Sequence, residues 1–511
     1  MSDIADRHSG DVEGRLTELA STTPIRVTLS IKPDSAHLLA VQHTAWMTLN
    51  LLARLQRVVD EIELVCPIGV RLEPHVIPVS SGATLDLATR LRQGAGEVGA
   101  VPVVANPGVS AIHLSIGPFG QAEDNLYHVA GNGWLGGVSR SPIPLACPSR
   151  LPFGPYIAAC LAVGEVFKQV RAKEDCCERP ERMFLSGWTY RVSRELEADA
   201  GPKTLPPVSL DHTLAGVGAV GSAWIHALWA CPDLTGTVAL YDPDLEGVEL
   251  TNLNRYVLFG RASIGQRKVK EAKRVVASCD ITWVDCDRGI EQITRITDTL
   301  VSAVDKNDIR AAIQNLYPAR ILSASTEGLR AEVLRCGPPG RGACLSCYNP
   351  PNAVESDAAL RERIGRWSAE ERTRRAGQAG LRETDLDDVT DPVRCGELGP
   401  DKMTLLRSTA DGKEERFAVG FVSALAGVLL AGETLKDRLA SNDVPLNDAR
   451  SRAVFQFLRP LAQTNGPAVY QRDPNCPRCG PNTVAGSIWL RRFRNLPPCR
   501  TGEIWSETAC G

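Results

Sequence analysis

Gly216, Gly218 and Gly221 stand in "LAGVGAVGSAWI" at the G-x-G-x-x-G spacing. That spacing turns a strand tightly into a helix and brings backbone N–H groups against a phosphate. Asp242 lies about 20 residues beyond, at the end of the next strand, where a carboxylate accepts hydrogen bonds from ribose hydroxyls. A dinucleotide and ATP both satisfy these residues, and a strand–helix turn with no ligand satisfies the glycines alone. The continuation, "DPDLEGVELTNLNRYVLFGRASIGQRKVKEAKRVV", separates them. It groups Asn252, Asn254, Arg255 and Lys268 behind the ribose carboxylate, a set a nicotinamide site does not use. A triphosphate needs its charge neutralised by fixed cations. Arg255 and Lys268 supply them, and Asn254 bonds phosphate oxygens. Asp305, at the end of the strand in "LVSAVDKNDIR", can hold Mg²⁺ between itself and a phosphate.

Cysteines form a second pattern. "ACLSCYNP" gives Cys344 and Cys347, and "DPNCPRCG" gives Cys476 and Cys479. Two C-x-x-C knuckles make a tetrahedral four-thiolate zinc site of the closed, structural kind. Between Cys347 and Cys476 the one cysteine is Cys395, in the polar stretch "DPVRCGEL", where Arg394 can lower its pKa. Cys160, Cys231 and Cys279 lie in or beside apolar helices and read as packing residues. No His–Asp or Cys–His constellation stands out.

These residues need strands and helices to carry them. From Ile25 the chain alternates strand-like runs ("IRVTLSI", "IELVCPIG", "GAVPVVA", "AIHLSIG") with an amphipathic helix, "TAWMTLNLLARLQRVV", and a small-residue helix, "GPYIAACLAVGEVFKQVRA". A second alternation starts near Val208. The predicted fold class is α/β, with two Rossmann-like units, the second carrying the glycine turn. The first offers Lys32, Asp34 and His37 where close approach to phosphate wants glycine. The expected boundaries are a polar leader over 1–24, the first unit over 25–172 and a linker or crossover over 173–207. The ATP-binding unit follows over 208–351, and a charged insertion carrying Cys395 over 352–416. Residues 417–480 complete the unit with the second knuckle, and 481–511 form a tail.

Composition excludes some classes. A net charge of -3 gives no basis for nucleic-acid or anionic-membrane binding. Arg491, Arg492 and Arg494 read as a solvated face. Phe417 to Gly432 is too short to span a bilayer and contains three glycines, so it reads as a buried helix. The N-terminus is no signal peptide, and paired C-x-x-C motifs suit a reduced, cytosolic protein.

In the order D-x-D, N-x-N-R, G-x-x-K-V, D-x-N, from about Thr213 to Gly480, the sequence resembles the ThiF/MoeB and ubiquitin-activating superfamily of adenylating enzymes. The resemblance implies that Gly216, Gly218 and Gly221 line ATP and that Asp242 takes the ribose. It implies that Asn254, Arg255 and Lys268 hold the phosphates and Asp305 the magnesium, with Asp244 and Asn252 in support. A C-terminal carboxylate then attacks the α-phosphorus; with a pKa of about 3.5 it is already ionised and needs no base. The zinc site recurs in the superfamily, and in its ubiquitin-activating members a cysteine between the knuckles carries the partner as a thioester, which points to Cys395. The first unit is expected to be a degenerate adenylation domain forming an internal pseudo-dimer with the second; a homodimer of the whole chain is compatible. An arginine from the N-terminal segment reaches the phosphates in the family, and Arg7 or Arg15 is in that region. The implied partners are a ubiquitin-like protein ending in glycine and a conjugating enzyme, as in antiviral Bil-type operons. Activation of a sulfur carrier or a peptide without a thioester is the alternative. A non-catalytic nucleotide-binding scaffold is another.

Overall fold

"IRVTLSI" alternates polar with apolar, so one face of the strand can be buried, and Val27, Leu29 and Ile31 bury it. The computed structural model describes residues 14–78, 85–105, 108–118, 125–197, 201–293, 297, 299–337, 342–349, 362, 364–378, 381–384, 386, 417–439, 451–480 and 482–492. They fall into two compact units, residues 1–350 with 417–511, and the insertion 351–416.

In the large unit, the first half runs β1 (Ile25–Ile31), α1 (Leu39–Ala53), β2 (Val59–Val65), α2 (Leu87–Val98), β3 (Val103–Val104), β4 (Ile112–Ile116), β5 (Leu126–Asn132), β6 (Leu135–Ser139), α3 (Phe153–Arg171), β7 (Arg182–Ser186) and β8 (Val192–Ser193). The second half runs β9 (Val208–Ala215), α4 (Ala219–Trp229), β10 (Leu234–Tyr241), α5 (Lys268–Val275), β11 (Ile281–Cys286), β12 (Thr299–Ser302), α6 (Asn307–Asn315), β13 (Arg320–Glu327), β14 (Arg330–Cys336) and α7 (Leu345–Tyr348). In the insertion, α8 (Ala369–Gln378) has a highly charged sequence, and the buried apolar side chains among the described insertion residues are Ile364, Ala376 and Leu386. The large unit resumes with α9 (Gly420–Leu439), β15 (Arg452–Gln456), β16 (Gly466–Ala468) and α10 (Val484–Arg492).

The two halves repeat one topology. The first sheet is ordered β3-β2-β1-β4-β5-β6-β7-β8 and the second β11-β10-β9-β12-β13-β14-β15-β16. In each, the first five strands are parallel and the last three are added antiparallel. Residues 173–207, expected to be a linker, contain β7 and β8 and so complete the first sheet.

A helical layer joins the halves: α1 packs on α3, α3 on α9, and α9 on α4. The sequence of this layer is duplicated as well. Gly164-Glu165-Val166-Phe167-Lys168 on α3 matches Gly432-Glu433-Thr434-Leu435-Lys436 on α9, and Thr44-Ala45-Trp46 on α1 matches Ser222-Ala223-Trp224 on α4. Both glutamate–lysine pairs are buried ion pairs, at 2.6 Å and 3.0 Å. Lys436 also donates to the carbonyls of Gly187 and Trp188, and the Tyr190 hydroxyl donates to Glu433, so the second-half helix is bonded to the first half's β7–β8 turn. A single apolar core runs through both halves. Among the described residues no helix is long and apolar enough to cross a membrane.

Candidate functional site

The strand order β11-β10-β9-β12 places a switch point at the carboxyl end of β9, because the chain leaves β9 toward β10 on one side while β12 lies on the other. Ligands of open parallel sheets bind at such crevices. Register brings the expected residues to this edge. Tyr241 pairs with Ala215, which sets Asp242 beside Gly216. Ser302 also pairs with Ala215, which sets Ala303 on the other flank and exposed Asp305 just past it.

Gly216 has φ +92° and lies against the Ala303 carbonyl, while a Cβ on Gly221 would stand 2.1 Å from the Gly216 carbonyl oxygen. Those two glycines are required by the protein itself. Gly218 is different: its φ is -83°, and a Cβ there would meet only the Tyr256 hydroxyl at 3.7 Å. The space before Gly218 is thus open, at the N-terminus of α4, where free N–H groups and the helix dipole favour an anion.

Asp242 is buried, and its two oxygens accept from the N–H groups of Val217 (2.8 Å) and Asp244 (3.0 Å). It therefore locks the glycine turn to the start of the next loop, and each oxygen keeps a lone pair for a further donor. Lys268, the first residue of α5, bonds Asp244. Burial pulls its ammonium pKa down, but Tyr256, Asp244 and Asp242 outweigh that and hold it above the ordinary lysine value. Burial pushes the Asp244 carboxyl up, and the bond and charge of Lys268 bring it below the ordinary range. Lys268 is a fixed cation across the accessible pH range.

The Leu250–Asn254 turn is closed by Asn252, whose Oδ1 accepts from the Glu249 N–H at 3.1 Å, so Asn252 shapes the backbone. Asn254 is buried; its Oδ1 accepts from Arg255 at 2.8 Å and its Nδ2 donates to the Ala418 carbonyl at 3.0 Å, where the chain returns from the insertion. Arg255 also donates to the Thr251 carbonyl. The Arg255 guanidinium and the Lys268 ammonium lie 5.3 Å and 5.7 Å from the Tyr256 ring centre. Tyr256 joins the glycine turn, the arginine and the lysine, and it went unread in the sequence although it directly follows N-x-N-R. The structure thus collects Gly218, Asp242, Asp244, Asn254, Arg255, Tyr256 and Lys268. Asp305 joins them by register alone. Arg7 and Cys395 lie outside the described residues. Arg15 lies where the chain pairs with the end of α3, its carbonyl accepting from the Lys173 N–H.

Cys344, Cys347, Cys476 and Cys479 converge with all four sulfurs within 4.8 Å of one another, and neighbouring sulfurs 3.5–3.7 Å apart. A tetrahedral ion with bonds of about 2.3 Å to sulfur requires a sulfur separation of about 3.8 Å. The cluster could hold a metal ion. Trp489 of α10 covers it, donating to the Pro318 carbonyl and meeting Tyr317 edge-on.

With the site described, its relatives are informative. The ThiF family profile matches residues 209–477, and the BilD N-terminal domain matches residues 26–185. A protein of Sinorhizobium fredii called "Uncharacterized protein y4jF" is 29% identical over 376 residues, 66% of this chain and 68% of that protein. Crystal structures of E. coli MccB resemble the chain at 17% identity for MccB alone and 16% for MccB with ATP, with TM-scores of 0.35 and 0.32. Each alignment covers 53% of this chain and 66% of the MccB chain, just under two thirds. The fold is α/β, and the profile over the second half is that of an adenylating family. The chain belongs to the ThiF family.

Proposed function

We propose that this protein adenylates the C-terminal glycine of a ubiquitin-like protein with Mg-ATP and then carries it as a thioester on Cys395 for a conjugating enzyme. One observation carries the adenylation step: an open space before Gly218 at the N-terminus of α4, bordered by Tyr256, to which Arg255 and Lys268 lie close. A triphosphate fits such a cradle, since backbone N–H groups and two cations meet its charge. Asp242 would take the ribose and Asp305 the magnesium. The partner's carboxylate oxygen attacks the α-phosphorus, the bond to the β-phosphate bridge breaks, and pyrophosphate leaves. Positioning and charge stabilisation by Arg255 and Lys268 supply the catalysis. In the second step the Cys395 thiolate attacks the acyl carbon and AMP leaves.

The four-cysteine cluster would hold zinc as a structural site, tying α7 to the segment that leads into α10. The BilD N-terminal match over the first half favours the Bil-type assignment and, with it, an antiviral role. Paired C-x-x-C motifs suit a reduced, cytoplasmic setting. In this reading residues 25–207 are the inactive copy, 208–350 and 417–480 the active one, and 351–416 the thiol-bearing insertion.

The test is a non-reducing gel of the protein with Mg-ATP and a small β-grasp protein encoded beside it. A thiol-labile adduct absent from Cys395→Ala but present in Cys499→Ala supports both steps. ATP-dependent pyrophosphate exchange without an adduct leaves adenylation standing and removes the thioester. No exchange with any β-grasp partner leaves a nucleotide-binding scaffold.

A further inference from the structure

We propose that Arg54 and Asn50, on the half without the glycine turn, are positioning residues that hold the Leu250–Phe259 segment in the geometry that places Asn254, Arg255 and Tyr256 around Gly218. The inference rests on the adenylation reading and names a second-half function for a first-half helix end.

Arg54 follows the last residue of α1 and is fully buried. Its guanidinium donates from Nη1 to the Leu253 carbonyl (2.5 Å), from Nη2 to the Phe259 carbonyl (2.7 Å), and from Nε to Asn50 Oδ1 (2.7 Å). Asn50 in turn donates from Nδ2 to the Val257 carbonyl at 2.9 Å. Three carbonyls of one short segment are thereby fixed from behind by two side chains one helical turn apart. Among the described residues its partners are these carbonyls and the Asn50 amide oxygen, with no carboxylate beside it. The reward for burying its charge is therefore this set of acceptors. A planar fork with rigid donor geometry fixes the spacing of the two carbonyls it spans, which a flexible ammonium does not.

The duplication sharpens the point. With Thr44-Ala45-Trp46 laid on Ser222-Ala223-Trp224, Asn50 falls on Leu228 and Arg54 on Pro232. The α4 counterparts cannot make the reciprocal bonds. Between α1 and α4 the anchors therefore run one way, from the half with no glycine turn toward the loop of the half that has one. The bonds in the other direction, from Lys436 to Gly187 and Trp188 and from Arg261 to Gly99, touch no part of that loop's carbonyl set. In the same alignment His43 takes the place of Gly221, so the first half has lost a glycine its own turn would need.

The test is calorimetric titration of the full-length, zinc-loaded protein with Mg-ATP, beside its thermal unfolding midpoint. Arg54→Met is expected to weaken Mg-ATP binding by about 100-fold, the scale on which an ångström of misplacement acts. Arg54→Lys restores part of that loss. Tyr190→Phe cuts another buried contact between the halves and leaves affinity within about twofold, because it touches no residue of the loop. Should Arg54→Met fail to fold, Asn50→Leu, which installs the residue α4 carries there, is expected to weaken binding by about 10-fold. Wild-type affinity in folded Arg54→Met or Asn50→Leu overturns the inference, as does equal weakening by Tyr190→Phe. A wild-type protein that fails to bind Mg-ATP overturns the adenylation reading itself.

Discussion

Two glycines of one turn are called for by different demands, and single substitutions separate them. Gly221 has no room for a Cβ because the Gly216 carbonyl is 2.1 Å from where it would sit. Gly221→Ala is therefore expected to cost stability, by about 1–3 kcal/mol, the usual scale for overpacking. Gly218 has room, so Gly218→Ala keeps the unfolding midpoint of the parent while Mg-ATP affinity falls. Thermal unfolding and nucleotide titration of both variants check this; a Gly218→Ala protein that binds normally would remove the cradle. The spacing of the glycines and of Asp242, Arg255 and Lys268 is readable because the glycines answer a backbone demand and the other three carry charge. Tyr256 and Arg54 were not readable. Their roles come from what lies across the fold, and an aromatic inside "RYVLF" or an arginine ending an apolar helix looks like packing in a linear string.

At the scale of elements, α1, α3 and α4 meet at three buried polar groups. The Tyr156 hydroxyl bonds His43 Nδ1 at 3.4 Å and His226 Nε2 at 3.3 Å, donating to one ring and accepting from the other. That arrangement serves neutral rings. Burial lowers both histidines to about 3, with His226 adding to the shift at His43 and Arg54 to that at His226. Folded values below the ordinary 6.5 mean that the unfolded chain takes up protons first. The stabilisation is therefore whole above pH 6.5 and falls as pH drops toward 3. The slope is about 1.4 kcal/mol per pH unit for each histidine. Urea unfolding between pH 7 and 5 should show the loss, and a shallower slope is expected for folded His43→Gln. Most elements followed from periodicity, including the buried helix after Phe417, which forms α9. The strands β5 and β6 did not. Gly131 and Gly136 sit where Gly154 of α3 crosses within contact of the sheet, so the residues that allow the crossing dilute the apolar alternation that marks a strand. Residues 173–207 looked like a linker for a related reason: β8 is two residues long, and edge strands this short carry little pattern.

For the molecule as a whole, the repeated sheet order bears out the two α/β units expected from the sequence. Strand order is preserved in full, whereas matching residues survive mainly in the helical layer, where both copies must fit each other. The loops at the strand ends differ, and only one half has the glycine turn.

That duplication has a consequence for counting. Two identical subunits would offer two equivalent sites, each able to influence the other through the shared helices. With a glycine turn in one half alone, a single site per polypeptide is expected, so titration with nucleotide should saturate at one equivalent with a hyperbolic, non-cooperative isotherm. A sigmoidal curve, or two equivalents bound, would mean that the first half still answers to nucleotide. With one equivalent, each molecule would fill its site without reference to a neighbour.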